Sequence, residues 1–158
     1  MKSPPRLALL AFVLVTSALV AGCFGSSRAS LTLTGRAPLN LNDSGESTAV
    51  KVRIYPLKAD RKFRSTTVES LWTDDLTVLK DDLAGARVEI TVRPTSANEA
   101  PATAEVAYDG DAKYIAVLAL CSKADARDQR ALVLPVDEAN GAKLVLSGYA
   151  VALATDKK

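Results

Sequence analysis

The chain has 158 residues, with 20 Lys and Arg against 18 Asp and Glu, and it contains no histidine. The missing histidine excludes Ser-His-Asp and Cys-His catalysis and the usual zinc and copper sites. A nearly neutral charge without a basic run argues against nucleic-acid binding, because proteins that bind nucleic acids carry a visibly positive face. The length is sufficient for one domain with a core of its own.

The first residues form a secretion signal that ends at a cysteine. Lys2 and Arg6 supply positive charge, residues 7–21 are uncharged, and small residues directly precede Cys23. The apolar run is shorter than the about 20 residues that span a bilayer. We therefore predict that residues 1–22 are a signal peptide that is removed.

The residues around Cys23 resemble a bacterial lipobox, in which cleavage leaves the cysteine as the acylated first residue. Acyl chains attach a protein stably when more than one is present. We therefore predict diacylglycerol and an N-acyl chain on Cys23 as the only covalent groups, with no other cofactor. Residues 23–29 are expected to be the anchor and a short tether. Phe24, rather than an aspartate, follows the cysteine, which favours the periplasmic face of the outer membrane.

Residues 30–158 are predicted to be a single all-β domain. Short segments alternate apolar with polar residues, as strands with one buried and one solvated face do. Residues 114–120 are apolar throughout, which predicts a strand that is covered on both faces. Together the segments favour a two-sheet sandwich of about eight strands. The predicted strands are 30–34, 49–55, 86–92, 102–108, 113–121, 131–136, 143–147 and 149–154.

A helical insert, residues 66–84, is predicted between the second and third strands. Thr66 and Glu69 have the spacing of a capping box, which predicts the start of a short helix. Asp74 is expected to cap a second short helix, and Gly85 is expected to end it. In this second helix three leucines recur at helical spacing, which predicts an apolar stripe that packs on the sandwich. These leucines are Leu76, Leu79 and Leu83, and the residues expected to face outward are Lys80, Asp81 and Asp82.

Two possible chemical sites are better interpreted as structure. Once Cys23 is acylated, Cys121 is the only thiol, and its place at the end of an apolar strand predicts a small buried side chain. The pair Asp109 and Asp111 flanks a glycine between two strands, which indicates a hairpin turn before it indicates calcium. We therefore predict no metal site, no catalytic residue and no enzymatic activity.

The connection between the first two strands, residues 35–48, is the longest polar one. Loops of this length on a compact sandwich are often functional. Leu39 and Leu41 lie among its turn-forming residues. Either both belong to a binding loop, or they continue the first strand and pack inward, leaving 42–48 as an ordinary hairpin.

The order of these parts resembles one known family. After the lipobox come LNDSG at 41–45, VKVRIYPLK at 50–58 and then the helical insert. This pattern resembles the outer-membrane lipoprotein of type VI secretion systems, the TssJ (SciN/VasD) family, over essentially the whole mature chain. The resemblance implies a transthyretin-like β-sandwich with added helices.

Members of that family contact the periplasmic C-terminal domain of a large inner-membrane IcmF-like protein, TssM, through the loop between the first two strands. The resemblance therefore implies a structural lipoprotein that anchors a trans-envelope complex to the outer membrane, in multiple copies and indirectly linked to TssL. The implied partner-binding residues are Pro38, Leu39, Asn40, Leu41, Asn42, Asp43, Ser44, Gly45 and Glu46. The alternative is a transthyretin-like periplasmic lipoprotein that binds a ligand or inhibits an envelope enzyme.

Overall fold

The computed structural model describes residues 27–95 and 100–154. The described residues form two sheets and three short helices. The strands are β1 (Ser27–Leu39), β2 (Val50–Leu57), β3 (Val88–Val92), β4 (Pro94–Thr95), β5 (Ala102–Tyr108), β6 (Tyr114–Leu120), β7 (Ala131–Pro135), β8 (Lys143–Gly148) and β9 (Ala150–Leu153). The helices are α1 (Arg61–Ser65), α2 (Val68–Leu79) and α3 (Val136–Ala139). No helix within the described ranges is both long enough and apolar enough to cross a membrane.

The first sheet has the order β4-β1-β8-β9, with β5 also paired to β1, and the second has the order β3-β2-β6-β7. β1 pairs antiparallel with β5 along its first half and parallel with β8 along its second half. The predicted two-sheet β-sandwich with a helical insert between the second and third strands is thus confirmed. The two-residue strand β4 was not predicted, because two residues are too few to show an alternating pattern.

β1 extends the predicted strand 30–34 in both directions. At its start, residues 27–29 pair with β5, so they belong to the sheet and not to the tether. At its end, Leu39 is fully buried and pairs with Gly148. Leu39 therefore continues the strand and packs inward. The signal peptide, Cys23 and residues 24–26 lie outside the described residues.

β6 has apolar side chains on both faces because a layer covers each face. Ile115 and Val117 point between the sheets and join the main core. Ala116 and Leu118 point the other way and pack against the helical insert. The prediction of a strand that is covered on both faces is confirmed. Each fully buried aliphatic side chain of this kind stabilises the fold by about 1.5–3 kcal/mol.

The insert begins differently from the prediction. A first helix, α1, precedes the expected start. Thr67, not Thr66, is the N-cap residue of α2, and its hydroxyl oxygen accepts a hydrogen bond from the Ser70 amide at 3.2 Å. With Thr67 as the N-cap, Ser70 and not Glu69 stands at the third helical position that a capping box requires. The Glu69 carboxylate instead accepts a hydrogen bond from Arg130 at 2.8 Å. The predicted capping box was therefore wrong.

α2 is broken in its middle, as the position of Asp74 predicted. Asp74 has the non-helical angles φ −144° and ψ 38°. Two carbonyls just before the break accept hydrogen bonds from Arg53 on β2. Its Nη1 lies 3.3 Å from the Leu71 carbonyl oxygen and 2.9 Å from that of Trp72. The arginine thus fixes the kink to the outer face of the second sheet.

The kink changes which residues of the second half face the sandwich. Asp75 and Leu79 are buried, whereas 49% of Leu76 is exposed. Leu76 therefore does not belong to the attachment stripe, and that prediction was wrong. Gly85 does not end the helix, which stops at Leu79. A side chain at Gly85 would instead place Cβ 2.6 Å from the Ala107 carbonyl oxygen.

Two leucines of α2 allow the helix faces to be tested. Leu79→Asp is expected to reduce the free energy of unfolding by about 4 kcal/mol, because it buries an unpaired charge. Leu76→Asp is expected to change it by less than about 0.5 kcal/mol, because the side chain is exposed. Urea unfolding of both variants measures the difference. If the two variants lost equal free energy of unfolding, the kink would be placed wrongly.

Asp75 is the charged centre of the contact between α2 and the second sheet. Its Oδ2 accepts hydrogen bonds from the Tyr55 hydroxyl at 2.6 Å and from Arg87 Nη1 at 2.7 Å. Arg53 Nη1 lies 3.4 Å away. Burial acts to raise the pKa of Asp75, but these hydrogen bonds and the two positive charges together hold it below its ordinary value. Burial and the bond to Asp75 raise the pKa of Tyr55.

Asp75→Asn tests this cluster, because the amide has the same shape but no charge. At pH 7 we expect a loss of about 3 kcal/mol, since two arginines lose their buried partner. The carboxylate stabilises the fold fully above its unfolded pKa of about 3.9, and this contribution is lost as the pH falls through the lower folded pKa. The stability difference between wild type and variant should therefore shrink between pH 5 and pH 2. Urea unfolding measures this difference. A difference in unfolding free energy that stays constant over these about three pH units would contradict the ionic role.

Candidate docking site

The sandwich has two opposite ends, separated by the length of β1, roughly 40 Å for thirteen residues of strand. At the first end, Ser27 pairs with Tyr108, and the Lys113 amide donates to the Leu57 carbonyl. At the second end, β1 turns into the loop 40–49 that leads to β2. The start of the described chain and the predicted partner-binding loop therefore lie at opposite ends.

The structure separates the nine predicted partner-binding residues into exposed and buried groups. Leu39 is fully buried and Asn40 is only 9% exposed, so both support the loop and neither offers a broad contact surface. Leu41 is half-buried, and its carbonyl oxygen accepts a hydrogen bond from the Tyr149 hydroxyl at 3.3 Å. The exposed members are Pro38, Asn42, Asp43, Ser44, Gly45 and Glu46.

The exposed tip of the loop, residues 42–46, is a closed turn. Asn42 Oδ1 accepts hydrogen bonds from the amides of Ser44 at 3.0 Å and Glu46 at 2.9 Å. The Asn42 side-chain amide donates to Glu46 Oε2 at 3.0 Å. Gly45 has φ 78°, a conformation that glycine adopts without strain. An asparagine that binds its own downstream amides holds such a turn in one shape, so the tip is formed before any partner binds.

A second segment lies beside the loop. The turn that follows β6 contributes Ser122, which donates to Asn40, and Lys123, whose Nζ lies 3.3 Å from Asp43 Oδ1. The Asp43 side chain is fully exposed. Exposed ion pairs of this kind contribute about 0–1 kcal/mol to stability. Both charges are thus available at the surface of this end.

Cys121 lies beneath this end, between the strand β6 and the turn. It is fully buried and unpaired, as the sequence predicted. Burial raises the pKa of its thiol to about 11, although the charge of Arg130 acts in the opposite direction. A neutral, inaccessible thiol is a packing residue. Among residues 27–95 and 100–154, no group of three or more His, Cys, Asp or Glu side chains could hold a metal ion.

Sequence reasoning assigned Asn40 to partner contact and missed that its side chain supports the loop. Asn40 has φ 44°, which asparagine tolerates better than most residues. An asparagine among turn-forming residues was the available signal, because this residue type adopts a positive φ more readily than most. Its partner Ser122 is 82 positions away in the chain, so no local pattern connects the two residues.

Comparison with known proteins decides the family. The family described as "Type VI secretion lipoprotein, VasD, EvfM, TssJ" matches residues 27–156. The chain belongs to this family. The resemblance seen in the sequence is thereby confirmed, and the family is one of structural, membrane-bound secretion lipoproteins. No curated protein matches the chain.

Chains in several solved structures share the fold. Serratia marcescens Lip, described as a membrane-bound component of the type VI secretion system, is 20% identical, with a TM-score of 0.71 over 84% of this chain and 99% of its own. A chain in a structure described as a "Type VI membrane complex" is 25% identical, with a TM-score of 0.71 over 82% of this chain and 99% of that one. A chain in a structure described as "T6SS protein TssM C-terminal domain (869-1107) from EAEC" is 23% identical, with a TM-score of 0.68 over 81% and 98%.

Proposed function

We propose that this lipoprotein ties the trans-envelope complex of a type VI secretion system to the outer membrane, without enzymatic activity. The acyl chains on Cys23 hold it on the periplasmic face. The exposed part of the loop 38–46 docks the periplasmic C-terminal domain of the inner-membrane IcmF-like protein TssM. The lipoprotein is linked to TssL only indirectly, through TssM. Several copies of the lipoprotein act in one assembly.

The placement of the loop supports this proposal most strongly. Only residues 24–26 separate Cys23 from the start of β1 at Ser27, a reach of roughly 14 Å at most. A short reach keeps the first end of the sandwich beside the membrane. The loop lies at the other end, roughly 40 Å along β1, where it faces into the periplasm. A protein that joins the membrane to a partner needs this separation of the two attachment points.

The similar structures support the identity of the partner. One is described as a type VI membrane complex. In another, described as a TssM C-terminal domain of residues 869–1107, 81% of this chain covers 98% of the matched chain. A chain of 158 residues is too short to cover 98% of a domain that spans residues 869–1107. The chain that this protein matches in that structure is therefore shorter than the domain named in its description. A small sandwich of this fold together with a TssM domain is the arrangement that we propose for this chain.

Purification from detergent-solubilised envelopes tests the proposal. The tagged, acylated protein should bring down the IcmF-like protein of the same organism in near-stoichiometric amount, identified by mass spectrometry. The control is the same preparation from cells that lack that inner-membrane protein. Recovery of a small soluble enzyme or a ligand, without the IcmF-like protein, would favour the alternative function and contradict this one.

A further inference from the structure

Asn40 lies where β1 gives way to the docking loop, and its side chain is almost fully enclosed, with 9% exposure. Its Nδ2 donates to Thr48 Oγ1 at 2.8 Å and lies 3.4 Å from the Ala49 carbonyl oxygen. Its Oδ1 accepts from both the amide and the hydroxyl of Ser122, at 2.7 and 2.9 Å. One side chain therefore joins three segments. These are the first stem of the loop, at Asn40 itself, the second stem, at Thr48 and Ala49, and the turn after β6, at Ser122.

The backbone of Asn40 adds two further bonds in the same place. Its amide donates to the Gly148 carbonyl at 2.7 Å, and its carbonyl accepts from the Thr48 hydroxyl at 2.6 Å. Every hydrogen-bonding atom of the residue is thus used within the protein. Such a residue has nothing left to offer a partner, so any effect on binding has to act through the loop.

We infer that Asn40 is a positioning residue for partner binding, which fixes the exposed tip 42–46 in one orientation against the turn after β6. This inference rests on the proposed docking function. The tip is already closed by Asn42, but its direction depends on the two stems at Asn40 and Thr48. A loop that is held in its bound orientation loses less conformational freedom on binding, and this raises affinity without adding a contact.

Asn40→Gly removes the side-chain bonds while preserving the backbone, because glycine adopts a φ of 44° freely. Binding of the purified TssM periplasmic domain to the acylated protein in detergent is measured by biolayer interferometry. We expect Kd to rise at least tenfold, with a decrease in Tm of only a few degrees. Without the partner, amide exchange at Thr48, whose amide donates to the Leu39 carbonyl between the two stems, should speed up, whereas exchange in the core of β1 should stay slow.

The matched control is Asn140→Ala, at the opposite end. Asn140 Oδ1 also accepts a hydrogen bond from a backbone amide of β1, that of Ser30, at 3.1 Å, and loss of this side chain should leave Kd unchanged. If Asn40→Gly fails to fold, Thr48→Val serves instead, because it removes the hydroxyl that bonds to Asn40 and should weaken binding. Thr48→Ser, which retains the hydroxyl, should bind like wild type. An Asn40→Gly protein that binds like wild type, or that binds weakly with unchanged amide exchange at Thr48, overturns the inference. Wild type that does not bind overturns the proposed function instead.

Discussion

Replacing Cys23 with serine is expected to remove the protein from the outer membrane or to leave it unprocessed. Serine cannot carry the thioether-linked lipid. Each buried methylene contributes about 0.8 kcal/mol to attachment, so the loss of the acyl chains removes essentially all membrane affinity. The sandwich should still fold, because its first strand begins at Ser27. Envelope fractionation and a secretion assay measure the effect.

The control for this substitution is Cys121→Ala. Cys121 is buried and distant from the start of the chain, so its replacement should leave the protein in the membrane fraction. A Cys23→Ser protein that still fractionates with the outer membrane and supports secretion would show that lipid attachment at this cysteine is not required.

Replacing the loop tip, residues 42–46, with a two-residue Asn-Gly turn is expected to reduce binding of the TssM periplasmic domain at least tenfold. A tenfold loss corresponds to about 1.4 kcal/mol. The tip is exposed and bonds mainly to itself, and a tight turn can close the same hairpin. We therefore expect Tm to change by only a few degrees. The replacement leaves Asn40 in place, because its side chain orients the loop through Thr48 and Ser122 and its loss would weaken binding by a second route.

A matched replacement at the other end provides the control. In the turn 109–112 between β5 and β6, residues 109–111 are also exposed, and exchange of this turn for Asn-Gly should leave binding unchanged. If the shortened tip folds and binds like wild type, the interface lies elsewhere, and the polar turn 122–130 becomes the better candidate.

The strands could be predicted from the sequence because the period of two is a local property. Val50, Val52 and Ile54 alternate with polar residues, and all three are buried. The insert could be located but its faces could not be assigned. A buried Asp75 has no apolar signature, since its burial depends on Tyr55, Arg87 and the sheet beneath it.

The connection between the first two strands was recognised, but residues 35–39 of the predicted loop belong to β1, and the burial of its residues depends on the fold. Leu39 and Leu41 look equivalent in the sequence, yet Leu39 is a core residue, whereas Leu41 is half-buried and its carbonyl accepts a hydrogen bond from the Tyr149 hydroxyl. The difference arises because β1 pairs with β8 as far as Leu39 and no further. Pairing between distant strands is not encoded in any short segment.

Recruitment to membranes tests the central claim most directly, because it requires both the anchor and the loop in one molecule. Lipid vesicles that carry the acylated full-length protein are mixed with the purified TssM periplasmic domain and sedimented. The wild-type protein should carry the domain into the pellet, and the loop-tip replacement, although still anchored, should leave it in the supernatant. Recruitment by the loop-tip variant at the wild-type level, or none by the wild type, would contradict the account.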